Sequence, residues 1–160
     1  MNQMKANPRV GRRGALMALA VVALAACARD ESRKRETTMD LSAVEEAVMA
    51  ASSKVRGFGI PTEKVVNGLG HAIVMGPDID ATTPLSADEL DAIVRAIWEN
   101  TPWEPNAIRL AARDTAAGDT AVDLLSPAAE LAPMQSGPFA SKGATLTLMQ
   151  DRYGEWKKPA

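Results

Sequence analysis

Few residues in this chain have types and spacings suited to chemistry. Among 160 residues there is one His and one Cys. A Ser–His–Asp triad would have to use His71, yet the Gly-x-Ser-x-Gly elbow that exposes a nucleophilic serine is missing. A single Cys excludes both a disulfide framework and a Cys-based zinc centre. Carboxylates are plentiful, with 20 Asp+Glu, and two of them at a suitable separation would supply a hydrolase's acid and base. So many acids also pair by chance on a solvated surface. Trp103, in Thr101-Pro-Trp-Glu-Pro105, sits on a proline-stiffened loop. It is a candidate partner contact if its ring faces outward, and a core-edge plug beside Trp98 if it faces inward. No Gly-rich loop with a Lys is present to cradle a phosphate.

The densest run of oxygen ligands is Asp78-Ile-Asp80-Ala-Thr82-Thr-Pro-Leu85-Ser86-Ala-Asp-Glu89. With Asp78 first, Asp80 falls third, Thr82 fifth, Ser86 ninth and Glu89 twelfth. That spacing is similar to an EF-hand calcium loop, and Leu85 fills the apolar eighth position. Two departures count against it. Thr83 replaces the Gly needed for the sharp turn, and Gly76-Pro77 replaces the entering helix. A turn followed by a helix cap explains the same residues. Asp78, Asp80 and Glu89 are therefore weak metal candidates, and no metal or cofactor is assigned.

Stepping outward, several elements would have to position these groups. Leu41, Val44, Val48, Ala51 and Val55 recur at steps of three and four, one apolar helical face. Ser42 with Glu45 forms a capping box in competition with Asp40. Val55–Pro61 is a short extended piece. Lys64–Met75 is strand-like, with Gly68 and Gly70 marking a bulge or close backbone approach. Ser86 and Glu89 make a capping box, and Leu85 can staple to Leu90. Behind them Leu90, Ile93, Val94, Ile97 and Trp98 form a buried stripe that Pro102 and Pro105 end. Ile108–Asp114, a turn at Gly118-Asp119 and Ala121–Leu125 read as a hairpin. Ser126-Pro127 opens a short helix over Ala128–Leu131.

The order is helix, two strands, helix, two strands, short helix. It predicts an α+β fold, a compact αββαββ-like sandwich of an antiparallel sheet with helices on one face. The expected folded domain covers residues 40–132. Residues 133–160 form a partly flexible C-terminal extension, in which Ala144–Met149 is a further possible strand.

The chain's opening is an address. Residues 1–26 carry Lys5, Arg9, Arg12 and Arg13 and no acid, then an apolar run from Ala15 to Ala26 that meets Cys27. A basic segment, a short apolar segment and small residues at its end make a secretory signal. Ala15–Cys27 would extend roughly 20 Å as a helix, short of the about 30 Å hydrocarbon core. The junction Leu24-Ala25-Ala26-Cys27 resembles the lipobox of bacterial lipoproteins. The resemblance implies cleavage between Ala26 and Cys27, with diacylglycerol on the Cys27 sulfur and commonly palmitate or another acyl chain on the new amino terminus. Two long chains anchor stably where one binds only marginally. Gly11-Arg12-Arg13-Gly14-Ala15-Leu16 also holds the paired arginines of a twin-arginine signal, so Sec and twin-arginine export both stay open.

Without residues 1–26 the chain has 14 basic against 20 acidic side chains. Residues 36–141 hold six basic and 16 acidic groups, while Arg29, Arg33, Lys34 and Arg35 cluster beside Cys27. An acidic body argues against nucleic acid, which needs a basic patch. The basic cluster is either a solvated tether or a contact for anionic headgroups. Residues 27–39 read as lipid anchor and flexible tether. The 12 residues from Ala28 to Met39 span at most about 40 Å. The Ala-rich composition resembles small uncharacterised actinobacterial lipoproteins. The expected function is a lipid-anchored, non-enzymatic binding or structural module on the extracytoplasmic face of the cell membrane, with an envelope protein or cell-wall component as partner. The alternatives are an envelope hydrolase using carboxylates or His71, or a calcium-binding module at 78–89.

Overall fold

A computed structural model describes residues 39–134 and 142–160. The signal, the Ala26/Cys27 junction, the tether before Met39 and the Gly/Pro/Ser-rich stretch 135–141 lie outside the described residues.

Helix α1 (Ser42–Ala51) buries Val44 and Val48, with Leu41 and Val55 buried at its ends. The expected apolar face is realised, but Leu41, not Ser42, holds the N-cap position, and just before it the Asp40 carboxylate accepts from the Ser42 N–H at 3.0 Å. Glu45 is then free to accept from the Thr62 hydroxyl at 2.5 Å. Strand β1 (Val55–Asn67) turns through Gly68-Leu69 into β2 (Gly70–Ile79) and pairs with it antiparallel along its length. What reads in sequence as one weakened strand, Lys64–Met75, is thus the two arms of a hairpin. Gly68 at φ 62° takes the first central position of a two-residue turn, where glycine matches the twist of the arms.

Helix α2 (Ala87–Asn100) starts at Ser86 with the expected reciprocal cap. The Ser86 hydroxyl accepts from Glu89 N–H at 3.2 Å, and Glu89 accepts from Ser86 N–H at 2.8 Å. Leu90, Ile93, Val94, Ile97 and Trp98 are all buried, and α2 packs chiefly against α1.

Next come β3 (Ala107–Leu110), β4 (Arg113–Asp114) and β5 (Thr120–Ala121). The expected antiparallel sheet is corrected here: the sheet is mixed. Both β3 and β4 run parallel to β2, with Ala72 opposite Ala107 and Asp78 opposite Arg113. Because β1 occupies the other edge of β2, β3 and β4 follow one another along the same side. The cause is α2, which carries the chain back to the end where β2 began; a strand entered after such a crossover pairs parallel. Only β4 and β5 form the expected second hairpin, around Gly118 (φ 80°) and Asp119 (φ 61°).

Helix α3 (Leu125–Glu130) follows. Leu124 holds its N-cap position, and Asp123 just before it accepts from the N–H groups of Leu125 (2.8 Å) and Ser126 (3.2 Å). Ser126 is thus not the cap; its hydroxyl donates to the same carboxylate. The possible strand at Ala144–Met149 is a two-residue β6 (Ala144–Thr145), paired antiparallel with β3, that passes into helix α4 (Leu146–Tyr153). Met134, Ala144 and Met149 are fully buried in the same apolar cluster as α1, α2 and the sheet. The packed core therefore runs past Ala132.

Candidate functional site

Strand β2 sets the geometry of the candidate residues. His71 stands near its start and Asp78 near its end, about 23 Å apart by the rise of an extended strand. They serve opposite ends of the sheet and cannot act on one bond.

At the end of Asp78, four elements meet. Asp114 on β4 is buried, and its carboxylate accepts from Arg56 Nη2 (2.6 Å), Ala81 N–H (2.9 Å) and Ala117 N–H (3.0 Å). Asp78 accepts from the Thr115 N–H (2.9 Å) and hydroxyl (2.7 Å), with Arg56 at 3.4 Å. Beside them lies a shallow cleft of about 310 Å³ whose floor includes Ile60, Gly76 and Pro77 and whose rim carries Asp78, Arg113, Thr115 and Asp119. Gly76 is required there, since a Cβ would come within 2.5 Å of Ile60 Cβ. Arg113 and Asp119 pair across the rim at 2.9 Å, both substantially exposed.

Electrostatically this cluster holds negative charge rather than trading protons. The Ala81 N–H, then Arg56, keep the Asp114 carboxyl below the usual carboxylate range. Thr115 does the same for Asp78 through its N–H and hydroxyl. A general acid needs the opposite shift, toward the working pH. These two carboxylates are acceptors that pin the 80–82 and 115–120 loops to the sheet.

The calcium-loop spacing does not converge on one point. Asp78 lies within β2 and serves Thr115. Asp80 turns to the Thr82 N–H at 2.9 Å, and Glu89 closes the α2 cap and pairs with Lys54 at 3.0 Å. Their oxygens are directed to three different donors, and among the described residues no three His, Cys, Asp or Glu side chains are grouped to hold a metal ion. The physical reason is that a strand and a helix cap replace the continuous loop which bends an EF-hand around its ion.

At the other end, Asn106 brackets His71: its Oδ1 accepts from the His71 N–H at 2.6 Å, and its own N–H donates to the His71 carbonyl at 2.8 Å. The His71 Nδ1 is buried with no hydrogen-bond partner among the described residues. Among the described residues no hydroxyl or carboxylate is bonded to that nitrogen, so the nucleophile–base contact of a triad is not made through it. Trp103 is half-buried against the core, with Lys64 Nζ 5.0 Å from its ring centroid. Much of the face offered by sequence as a partner contact is covered from within the chain.

Sequence reasoning overlooked Arg56, Asp114 and Thr115, as well as a second polar knot. In that knot Arg152 Nε and the Tyr153 hydroxyl both donate to Asp91 Oδ1, the latter at 2.7 Å, while Arg152 Nη1 donates to the Ala132 carbonyl at 2.7 Å. Burial, then the bond to Asp91, pushes the Tyr153 hydroxyl well above its ordinary pKa. No local signal could have found either group, since Arg56 and Asp114 are 58 positions apart and Asp91 and Arg152 are 61 apart.

Among the described residues no helix is long and apolar enough to cross a membrane. No family model, no curated protein and no solved structure matches this chain, so a functional reading rests on its own residues.

Proposed function

We propose that this chain is a bacterial lipoprotein: an extracytoplasmic α+β module held to the cell membrane by lipid on Cys27, with a binding or structural rather than enzymatic role. The observation that carries the reading is Leu24-Ala25-Ala26-Cys27 behind a basic, then apolar, leader, with the chain's one cysteine at the acceptor position. A thiolate is the nucleophile that thioether formation requires, and a diacylglyceryl group holds where a single chain would not. Two features of the body support the non-enzymatic part. Its buried carboxylate, Asp114, is saturated by donors, and the Nδ1 of its imidazole has no hydrogen-bond partner among the described residues. The reading includes a two-layer body with α1 and α2 against one face of the sheet, supported by their mutual packing and the single apolar cluster. An envelope protein or cell-wall component is the partner class that fits an acidic module held within about 40 Å of a bilayer.

Intact mass spectrometry of protein extracted from membranes tests the anchor. The expected species begins at Cys27 and carries diacylglycerol. An untrimmed, unacylated chain in the soluble fraction overturns it.

A further inference from the structure

We infer that the sheet face turned away from the helices is where a second copy of this chain docks, the two sheets packing face to face about a two-fold axis that runs along β2. Such a pairing rests on the two-layer reading of the body and is independent of lipid on Cys27.

The register sorts strand residues between two faces. Residues paired across neighbouring strands point to the same side, and successive residues along a strand alternate. Ile73 and Met75 of β2 and Ile108 of β3 are fully buried in the apolar cluster that the helices share. On β1, Thr62 bonds to Glu45 of α1 and Lys64 lies over Trp103, so these two also face the core. Their alternates face the other way: Glu63 and Val65 on β1, opposite Val74 and Ala72 on β2, which stand opposite Arg109 and Ala107 on β3. None of these six belongs to the apolar cluster or packs against it. Ile60 joins them, since it is the side chain that a Cβ on Gly76 would strike. Ile60 is 39 % exposed, and Val65 and Val74 are only half-buried, an apolar strip outside the chain's own core.

One row across the sheet decides the occupant. Glu63 stands opposite Val74, and Val74 opposite Arg109, so an acid and a base flank a valine at two strand spacings, about 10 Å. Both are exposed, and neither has a hydrogen-bond or ion-pair partner among the described residues. A half-turn about β2 sets Val74 on its own equivalent and brings each Glu63 to the Arg109 of the other copy. One operation thus pairs both charges of both chains, which is the self-complementarity an isologous interface requires. A half-turn about an axis across the strands sets Glu63 against Glu63 instead, and like charges in contact are costly. The charges therefore select the axis along β2. That axis keeps the strands of the two sheets aligned, within the roughly 30° of ordinary sheet-on-sheet packing. Removal of Ile60, Val65 and Val74 from water drives the association, and the Glu63–Arg109 pairs fix its register. An unrelated partner would have to bring the same pattern in reverse, whereas a second copy already carries it.

The test is sedimentation equilibrium of the full chain in a mild detergent at matched solvent density. Wild type is expected to be a dimer at micromolar concentration. Val74→Arg sets two like charges on the axis and is expected to sediment as a monomer. At dilutions where both proteins are monomeric it should keep the wild-type Tm, because the side chain faces outward. Glu63→Arg and Arg109→Glu are each expected to raise the dimer Kd about tenfold or more, and the two substitutions together to restore it. A wild-type chain that stays monomeric overturns the inference, as does a dimer that none of these substitutions weakens. A double variant no tighter than either single one overturns it too. A photoreactive residue at position 74 reads the same face in native membranes. An adduct of twice the chain's mass supports the second copy, and an adduct with a different protein in its place overturns the inference in favour of that partner. A Val74→Arg monomer that unfolds several degrees below the wild-type monomer shows a face already covered within the chain, which removes the two-layer reading and the inference together.

Discussion

Asp114 shows what a single side chain does in this fold. It is a carboxylate enclosed at the junction of β4 with two loops, and three donors converge on it. Asp114→Asn preserves the shape but replaces one acceptor oxygen with a donor aimed at other donors, which leaves buried groups unsatisfied. The variant is expected to unfold at lower temperature at pH 7. The sign with pH follows from the lowered carboxyl: its folded value lies below the ordinary 3.8, so its contribution is complete above the unfolded value and is lost as pH falls through the folded one. The difference in Tm between the two proteins should therefore be full at pH 5 and above and shrink below about pH 4. Thermal unfolding across that series checks it. Asp78, lowered by Thr115, and Glu89, lowered by the Ser86 N–H, titrate in the same direction, so the wild-type protein also loses stability over that range. A gap that stays constant down to pH 2 would show that charge is not what Asp114 contributes.

Helix α2 is the element on which the topology turns. Its boundaries are local, set by the Ser86/Glu89 box at one end and by Pro102 just past Thr101 at the other, and its stripe of Leu90, Ile93, Val94, Ile97 and Trp98 is buried as its spacing dictates. Ser86→Ala removes one half of the box and should cost about 1 kcal/mol. Ile97→Ala, at a position with no exposure, should cost roughly 2–5 kcal/mol, because the transfer loss is compounded by a cavity among packed neighbours. Urea denaturation distinguishes the two, with the midpoint moving further for Ile97→Ala. Helix α4 is the contrasting element. Ala144-Thr-Leu-Thr-Leu-Met149 alternates as a strand would, yet Leu146, Met149 and Tyr153 also share a helical face. The bonds from Arg152 and Tyr153 to Asp91 are made by the helix, and tertiary contacts of that kind override a weak β preference.

For the whole molecule, the function we propose turns on one residue, Cys27. Cys27→Ala should abolish acylation of the protein while the thermal unfolding of the body stays unchanged, since Cys27 precedes every element among the described residues. Metabolic labelling with a radioactive fatty acid reads the outcome, and label retained without Cys27 would defeat the lipid anchor. The charge on the body acts at this scale as well. With acids exceeding bases from residue 36 to 141, the module should be held off anionic lipid at low salt.

Amphipathic periodicity and caps are properties of neighbouring residues, and the sequence determined them unaided: the faces of α1 and α2, the Ser86 start, the turn at Gly118-Asp119. Strand partnership is of another kind. Nothing near Ala107 states that it will lie parallel to Ala72, because that depends on where α2 delivers the chain. Nothing near Asp78 states that Thr115 rather than an ion will occupy its oxygens. The Arg56–Asp114 and Asp91–Arg152 pairs exist only once strands and helices distant in sequence have docked. Those arrangements were left to the tertiary structure, since a hydrogen bond between groups some 60 residues apart has no trace in local spacing and forms only when the core beneath it has closed.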